Sequence, residues 1–188
     1  IINGDKVTGI TTMYMDAGMD SGDMILQEKT EIGENETTGE LWDKLSGIGA
    51  KLLVETLKQI EAGTAPRIKQ GEEFTIAPML EKEMSKINWK EKSAKEIKNL
   101  VRGLNPIMGT YSFFEGKKIK IWKVEVLPEE NYDIENGTVI KADAKEGLYI
   151  KAKEGIISVL EIQGENAKRM NIKDFLRGNQ IKVGSMFE

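Results

Sequence analysis

Five short runs of β-branched and apolar residues, separated by glycine-containing turns, fill the second half of the sequence. The turns contain Gly116, Gly137, Gly147 and Gly155. Strands this short, at this spacing, are typical of a small β-barrel. The runs are Thr110–Glu115, Lys118–Leu127, Thr138–Ala142, Leu148–Lys153 and Ile156–Ile162. A brief helix from Asn171 to Arg177 is predicted after them, because Gly178 provides a helix stop.

The first part of the chain has a different pattern, which predicts two strands and a long helix. A β-branched run, Thr8–Met15, and a partly alternating run, Met24–Ile32, enclose the turn-rich segment Asp16–Asp23. Thr37 and Glu40 form a capping-box pattern at the start of a helix that should end at Ala62-Gly63. The apolar residues expected on one face of this helix are Leu41, Leu45, Ile48, Leu52, Leu53, Leu57 and Ile60.

Between these two patterns lies a stretch with little periodicity. Residues 64–92 contain two of the four prolines, Pro66 and Pro78, and are predicted to be a linker. Ser93 and Glu96 then start a helix that Asn105-Pro106 should end. The sequence therefore predicts an α/β unit at residues 1–63, a linker at 64–92, and a mainly β domain at 93–188.

The charge distribution also differs between the two parts. Residues 1–63 carry 5 Lys and Arg against 12 Asp and Glu, a net charge of −7, whereas residues 64–188 carry 22 against 19, a net charge of +3. This asymmetry suggests two units with different partners, although two solvated surfaces would give the same numbers.

Two absent residue types limit the chemistry of the chain. With no cysteine there is no disulfide and no thiol nucleophile, and with no histidine there is no imidazole base. No apolar run is long enough to span a bilayer, so we expect a cytoplasmic protein without a membrane partner. The sequence starts at Ile1 instead of a methionine, and we expect it to be a fragment.

Three aspartates in the turn-rich segment are the first candidates for chemistry. Asp16, Asp20 and Asp23 follow or precede a predicted strand, where a carboxylate can accept a proton beside a reacting carbonyl. They could instead bind a divalent cation, but their spacing is not that of an EF-hand loop. By composition alone, simple turn chemistry is the better interpretation, because aspartate and glycine dominate turns.

A resemblance to a known family changes that weighting. The string from Gly9 to Met24, which includes the Asp20-Ser21-Gly22 element, resembles the signature segment of folate-dependent formyltransferases. The resemblance implies that Asp20 is the catalytic aspartate. It also implies that the loop binds the pterin of the formyl donor, 10-formyltetrahydrofolate, and that no metal takes part. The implied cofactor-binding residues are Asp16, Ala17, Gly18, Met19 and Asp20.

A second resemblance covers the rest of the chain. The stretch Arg102–Pro106, followed by Gly109, Tyr111 and residues 120–123, resembles the start of the C-terminal domain of methionyl-tRNA formyltransferases. Residues 163–178 resemble the last strand and terminal helix of that family. The implied fold is a truncated, Rossmann-like α/β formyltransferase domain followed by a small OB-like β-barrel. The implied activity is formyl transfer to methionyl initiator tRNA during translation initiation.

Basic residues alternate with aromatic ones in and around the predicted barrel, where Tyr111, Phe113, Phe114 and Trp122 lie among them. OB-like barrels bind nucleic acid on a basic face. For the set of basic residues as a whole, the family resemblance implies that the partner is tRNA. For any single lysine, a solvated surface position is the simpler interpretation. The candidate tRNA-binding residues are Lys82, Arg102, Lys118, Lys120, Lys123, Lys168 and Arg169.

The same resemblance identifies what these 188 residues lack. In the family, an asparagine and a histidine from one motif work with the catalytic aspartate, and that motif should lie upstream of Ile1. We therefore expect the chain alone to be inactive, and to be monomeric. Two other hypotheses stay open. One is a related folate enzyme, either a formyltetrahydrofolate hydrolase or a sugar-amine formyltransferase, and the other is a stand-alone RNA-binding module.

Overall fold

A computed structural model describes residues 1–128 and 132–188 and gives the chain two compact units. One unit contains residues 5–79, and the other contains residues 80–188 together with residues 1–4. The fold is mixed α/β, and both of its sheets are antiparallel. The domain boundaries given in the sequence analysis, residues 1–63, 64–92 and 93–188, stay a prediction.

The unit of residues 5–79 is a β-hairpin covered by one helix. Strands β1 (Val7–Met13) and β2 (Met24–Glu31) pair antiparallel, with Ile10 opposite Glu28. They agree with the two predicted strands to within two residues at each end. A wider Rossmann-like sheet would extend beyond this pair, and that part of the expected fold stays a prediction.

Helix α1 (Thr38–Glu61) begins with the predicted capping box: the Thr37 side chain accepts from the Glu40 N–H, and the Glu40 carboxylate accepts from the Thr37 N–H. The predicted apolar face is only partly right. The buried positions are Leu41, Leu52 and Thr56, whereas Leu53, Leu57 and Ile60 are exposed. These exposed residues fall on a second stripe of the helix, because Leu53 is one residue out of phase with Leu52. No helix in the described ranges is long and apolar enough to cross a membrane.

The other unit is built around one larger sheet. It contains a 3₁₀ helix, Lys82–Ser85, and helices α2 (Ala94–Gly103) and α3 (Ile172–Gly178). The sheet runs in the order β3-β4-β7-β6-β5, with the short β8 beside β7. The strands are β3 (Thr110–Phe114), β4 (Lys117–Leu127), β5 (Val139–Asp143), β6 (Gly147–Lys151), β7 (Ile156–Gln163) and β8 (Met170–Asn171).

The strands of this sheet do not close into a barrel within the described ranges, since β3 and β5 lie at opposite ends of the strand order. The C-terminal residues bond to both edges. Glu188 exchanges two backbone hydrogen bonds with Phe113, each 2.9 Å long, and the Phe187 N–H donates to the Gly137 carbonyl at 2.9 Å. Gly137 has φ +95°, and a Cβ there would lie 2.5 Å from the Phe187 carbonyl oxygen, so this approach requires glycine.

The core of the unit includes two residues that the sequence analysis placed in the linker. Ile87 and Trp89 are buried among the apolar side chains of the sheet and α2. The Trp89 indole N–H donates to the Ser112 hydroxyl at 2.9 Å, which satisfies its one polar group inside the core. The core of this unit therefore includes residues that precede Ser93.

The capping box of α2 gives this unit a pH dependence. The Glu96 carboxylate accepts hydrogen bonds from Lys92 Nζ at 2.8 Å and from Ser93, and these contacts lower the pKa of Glu96 to about 2. Because the pKa is lower in the folded state, the contribution to stability is full above about pH 4.5 and is lost as the pH falls toward about 2.

We therefore expect Glu96→Gln to make the stability of this unit less dependent on pH between about 4.5 and 2. The measurement is the urea unfolding midpoint of the sheet at several pH values. Glu154→Gln, at an exposed carboxylate of the same unit, is the control and should keep the wild-type pH profile. A Glu96→Gln profile parallel to the wild type would contradict this assignment.

Candidate functional site

The loop of residues 14–23 joins β1 to β2 and is closed tightly at its base. The Tyr14 N–H donates to the Asp23 carbonyl at 2.9 Å. Gly22 is buried at this crossing, and a Cβ added there would lie 1.7 Å from the Tyr14 carbonyl oxygen. No side chain fits in that space, so the glycine of the Asp20-Ser21-Gly22 element is required by sterics.

Asp16 organises the exposed tip of this loop. Its Oδ1 accepts from the Ser21 hydroxyl at 2.6 Å and from the Gly18 N–H at 2.9 Å. These two hydrogen bonds, that of Ser21 first, lower the pKa of Asp16 below its ordinary value. The carboxylate is therefore used as a local acceptor that shapes the loop.

Asp20 lies at the exposed far end of the same loop, with φ +53°, in the left-handed region that aspartate tolerates better than most residues. Its backbone carbonyl accepts from Gln70 Nε2 at 2.7 Å. The loop thus brings all five predicted cofactor-binding residues into one exposed turn. Met19 in this turn and the neighbouring Met15 are 92% and 95% exposed, which gives the turn an apolar surface.

Asp23, the third candidate carboxylate, has a different role. Its Oδ2 accepts from Arg67 NH1 at 3.1 Å, and the Arg67 guanidinium also lies 4.0 Å from the centre of the Tyr14 ring. Asp23 therefore ties the base of the loop to the segment after α1. The three aspartates do not converge on one point, and no group of three acidic side chains suited to a metal ion is found in the described ranges.

A second candidate surface lies on the outer face of β3 and β4 in the other unit. Alternate residues point outward, and cations cover the aromatic rings: Lys118 Nζ is 3.8 Å from the Tyr111 ring centre and Lys120 Nζ is 5.2 Å from that of Trp122. Arg169, which also pairs with Glu161, lies 5.1 Å from the Trp122 ring centre. We call this the aromatic-cation face; its residues are Lys86, Tyr111, Phe113, Lys118, Lys120, Trp122 and Arg169.

The remaining predicted basic residues are placed differently. Lys82, Lys123 and Lys168 are exposed, and none of them lies over an aromatic ring of this face. Arg102 is only 8% exposed, and its Nε donates to Asn99 Oδ1 at 3.1 Å. A buried guanidinium with internal partners is poorly placed for contact with a large ligand.

Two residues near the loop were missed by the sequence analysis. Arg67 and Gln70 contact the Asp20 loop from within the predicted linker. Lys86, a basic residue of the aromatic-cation face, has its Nζ 5.5 Å from the Phe113 ring centre. Pairs about 44 to 50 residues apart leave no periodic signal in a single sequence.

Two family models match separate stretches of this chain. Residues 1–57 match the family model described as "Formyl transferase", and residues 79–180 match "Formyl transferase, C-terminal domain". The second match alone covers more than half of the chain. The chain therefore belongs to the formyl transferase family.

The curated relatives are more specific, and they are methionyl-tRNA formyltransferases. The protein of that name from Acetivibrio thermocellus is 46% identical over 187 residues, which cover 99% of this chain and 60% of the relative. The one from Clostridioides difficile is 44% identical over 185 residues, covering 98% of this chain and 59% of the relative. The chain thus spans about 60% of the length of these relatives.

Solved structures share the fold at lower sequence identity. HypX from Aquifex aeolicus, in complex with tetrahydrofolic acid, gives a TM-score of 0.66 at 16% identity and covers 98% of this chain and 35% of HypX. The N-formyltransferase from Helicobacter canadensis gives 0.61 at 23% identity and covers 84% of this chain and 57% of that protein. These likenesses concern the fold.

Proposed function

We propose that the whole protein to which this chain belongs is a methionyl-tRNA formyltransferase. It would transfer a formyl group from 10-formyltetrahydrofolate to the amino group of methionyl initiator tRNA, in the cytoplasm, as a monomer. The observation that carries the proposal is 44 to 46% identity to proteins of that name along almost all of this chain. The loop with Asp20 is the part of the formyl-transfer site that these residues supply.

The role of Asp20 follows from what the reaction requires. The amine attacks the formyl carbon, a C–N bond forms, and the bond between that carbon and N10 of the donor breaks. The amine loses a proton and N10 gains one, so a carboxylate beside the reacting carbon can assist the proton transfer. Asp20 suits this role because its loop is exposed and its backbone is fixed by Gln70. The chain has no histidine, so any imidazole that Asp20 orients comes from outside these residues.

The loop residues also fit the donor. A pterin is a flat ring with hydrogen-bonding edges, and its recognition needs exposed peptide groups beside an apolar surface. Residues 16–20 form an exposed turn, and the side chain of Met19 supplies apolar surface there. Asp16 through Asp20 would therefore hold the donor, which supplies the formyl group when it is bound.

For the unit of residues 80–188 we propose an OB-like domain that binds tRNA through its aromatic-cation face. Hydrogen bonds from residues 184–188 to both sheet edges support the OB-like assignment. Lys118, Lys120 and Arg169 bring three positive charges onto one surface, whose charges would attract phosphates. Arg102 has the weakest case among the predicted contacts, because it is buried.

The test of the proposed activity is a turnover assay on the whole protein with 10-formyltetrahydrofolate and methionyl initiator tRNA. The expected product is formylmethionyl-tRNA. Release of formate without formylation of the acceptor would instead support the hydrolase hypothesis. Formylation of a sugar amine but not of the tRNA would support the sugar-amine branch.

We expect Lys118→Ala combined with Lys120→Ala to weaken tRNA binding and to reduce its dependence on salt. Each lost phosphate contact lowers the slope of log affinity against log salt by about one, so the double variant should lose about two. The measurement is tRNA affinity of the 188-residue chain at several salt concentrations.

The matched control for this pair is Lys145→Ala with Lys153→Ala. It removes the same charge from exposed turns of the same unit, away from the aromatic-cation face. If both double variants changed the slope equally, binding would depend on net charge alone and the proposed face would be wrong.

A further inference from the structure

Gln70 makes an unusual pair of hydrogen bonds to the Asp20 loop. Its Nε2 donates to the Asp20 carbonyl at 2.7 Å and to the Gly22 carbonyl at 2.8 Å. A side-chain amide nitrogen has two hydrogens, so this contact uses both of them. The two carbonyls flank Ser21, and Gln70 therefore holds the loop on both sides of that residue.

The segment that carries Gln70 is itself fixed against the hairpin. Ile68 exchanges two backbone hydrogen bonds with Met24, of 2.8 and 2.9 Å. Arg67 pairs with Asp23 and covers the Tyr14 ring. We call residues 67–70 the strap. Since the strap is held at two points before Gln70, that side chain reaches the loop from a fixed base.

The loop needs such support, because its own contacts leave Asp20 in an unfavourable conformation. Asp20 has φ +53°, and the left-handed backbone is strained for a residue other than glycine. Asp16 fixes Gly18 and Ser21, and the Tyr14 bond fixes the base. Neither of these contacts bonds to the carbonyl of Asp20, whereas Gln70 does.

We propose that Gln70 is a positioning residue that fixes the Asp20 peptide group, and with it the direction of the Asp20 carboxylate. The inference rests on the proposed formyl transfer and deepens it, since it identifies a residue of this chain that prepares the site without contacting the reacting atoms. An error of about 1 Å in the place of a catalytic group can lower a rate by about 100-fold, so a support of this kind has a large effect on turnover.

The first test uses the 188-residue chain and needs no activity. Gln70→Leu removes both donors, and Gln70→Glu keeps the length but places oxygen atoms against the two carbonyls. We expect amide hydrogen exchange in residues 16–23 to be faster by roughly 10-fold in both variants. Exchange in α1 should be unchanged. Gln27→Leu, which removes a bond to Thr11 on the exposed face of the hairpin, is the control and should leave the loop as it is.

The second test measures turnover of the whole protein with the same variants. Both Gln70 variants should lower kcat by about 10- to 100-fold, with the KM for tRNA within about twofold of wild type. A general loss of structure would change both constants and the exchange of α1 as well. If Gln70→Leu does not fold, the loop exchange and the kcat of Gln70→Glu are used to test the proposal.

The outcomes separate the two proposals. A wild-type protein that does not formylate tRNA overturns the proposed function, and loop exchange then decides whether Gln70 still holds the loop. An active wild type with kcat within twofold in the Gln70 variants overturns the inference, even if the loop exchanges faster. An equal loss of kcat in Gln27→Leu overturns it as well.

Discussion

Asp20→Asn is expected to lower the turnover of the whole protein by about 100- to 10,000-fold while tRNA affinity stays nearly unchanged. Asparagine keeps the size of the side chain and tolerates the left-handed backbone at φ +53°. The Gln70 contact is made to the Asp20 backbone carbonyl and so survives the substitution. What is lost is the negative charge and the proton acceptor. The measurement is kcat and tRNA affinity with 10-formyltetrahydrofolate as donor.

The matched control is Asp43→Asn, which removes the same charge from an exposed position on α1. It should leave turnover unchanged. Turnover of Asp20→Asn within about twofold of the wild type would mean that Asp20 is a turn residue, and the catalytic assignment would be wrong. A loss of turnover in both variants would mean that the net negative charge of this unit, and not Asp20 in particular, supports the reaction.

The features that the sequence predicted well are local ones. Both capping boxes join residues three apart, and Thr37 with Glu40 and Ser93 with Glu96 are found as expected. The glycine turns also separate the strands of the larger sheet. These signals depend on short-range sterics and hydrogen bonding, which a single sequence records directly.

Features that depend on distant pairing were missed. Gln70 reaches the loop across 50 residues, and nothing around it in the sequence indicates a partner. Arg102 has the charge expected of an RNA contact, yet α2 buries it beside Asn99. A residue type fixes what a side chain can do, whereas tertiary packing decides whether it faces a ligand or the core.

Trp89 and Phe187 show the same limit in the core. Neither lies in a periodic run, and they are 98 residues apart in number, yet their rings meet edge to face with centroids 6.2 Å apart. The sequence analysis assigned the first to a linker and said nothing of the second. Phe187 is nevertheless 1% exposed and lies among the sheet residues.

Phe187→Ala should therefore destabilise the unit of residues 80–188 by about 3–5 kcal/mol, the usual cost of truncating a buried phenylalanine. The ring packs on Phe114 with centroids 4.8 Å apart as well as on Trp89. Its loss leaves a cavity at the point where the C-terminal residues bond to both edges of the sheet. The hydrogen bonds of Glu188 to Phe113 and of Phe187 to Gly137 should then open more often.

The measurement is the free energy of unfolding obtained from the slowest-exchanging amides of β7, which report on this unit alone. Val183→Ala is the control, because Val183 is 65% exposed in the same unit and its truncation should cost about 0.5 kcal/mol or less. The loss of unfolding free energy in Phe187→Leu should lie between those of the two alanine variants, since leucine refills part of the cavity. A cost below about 1 kcal/mol for Phe187→Ala would mean that the sheet holds its edges without the C-terminal residues, because truncating a well-packed buried ring costs several times more.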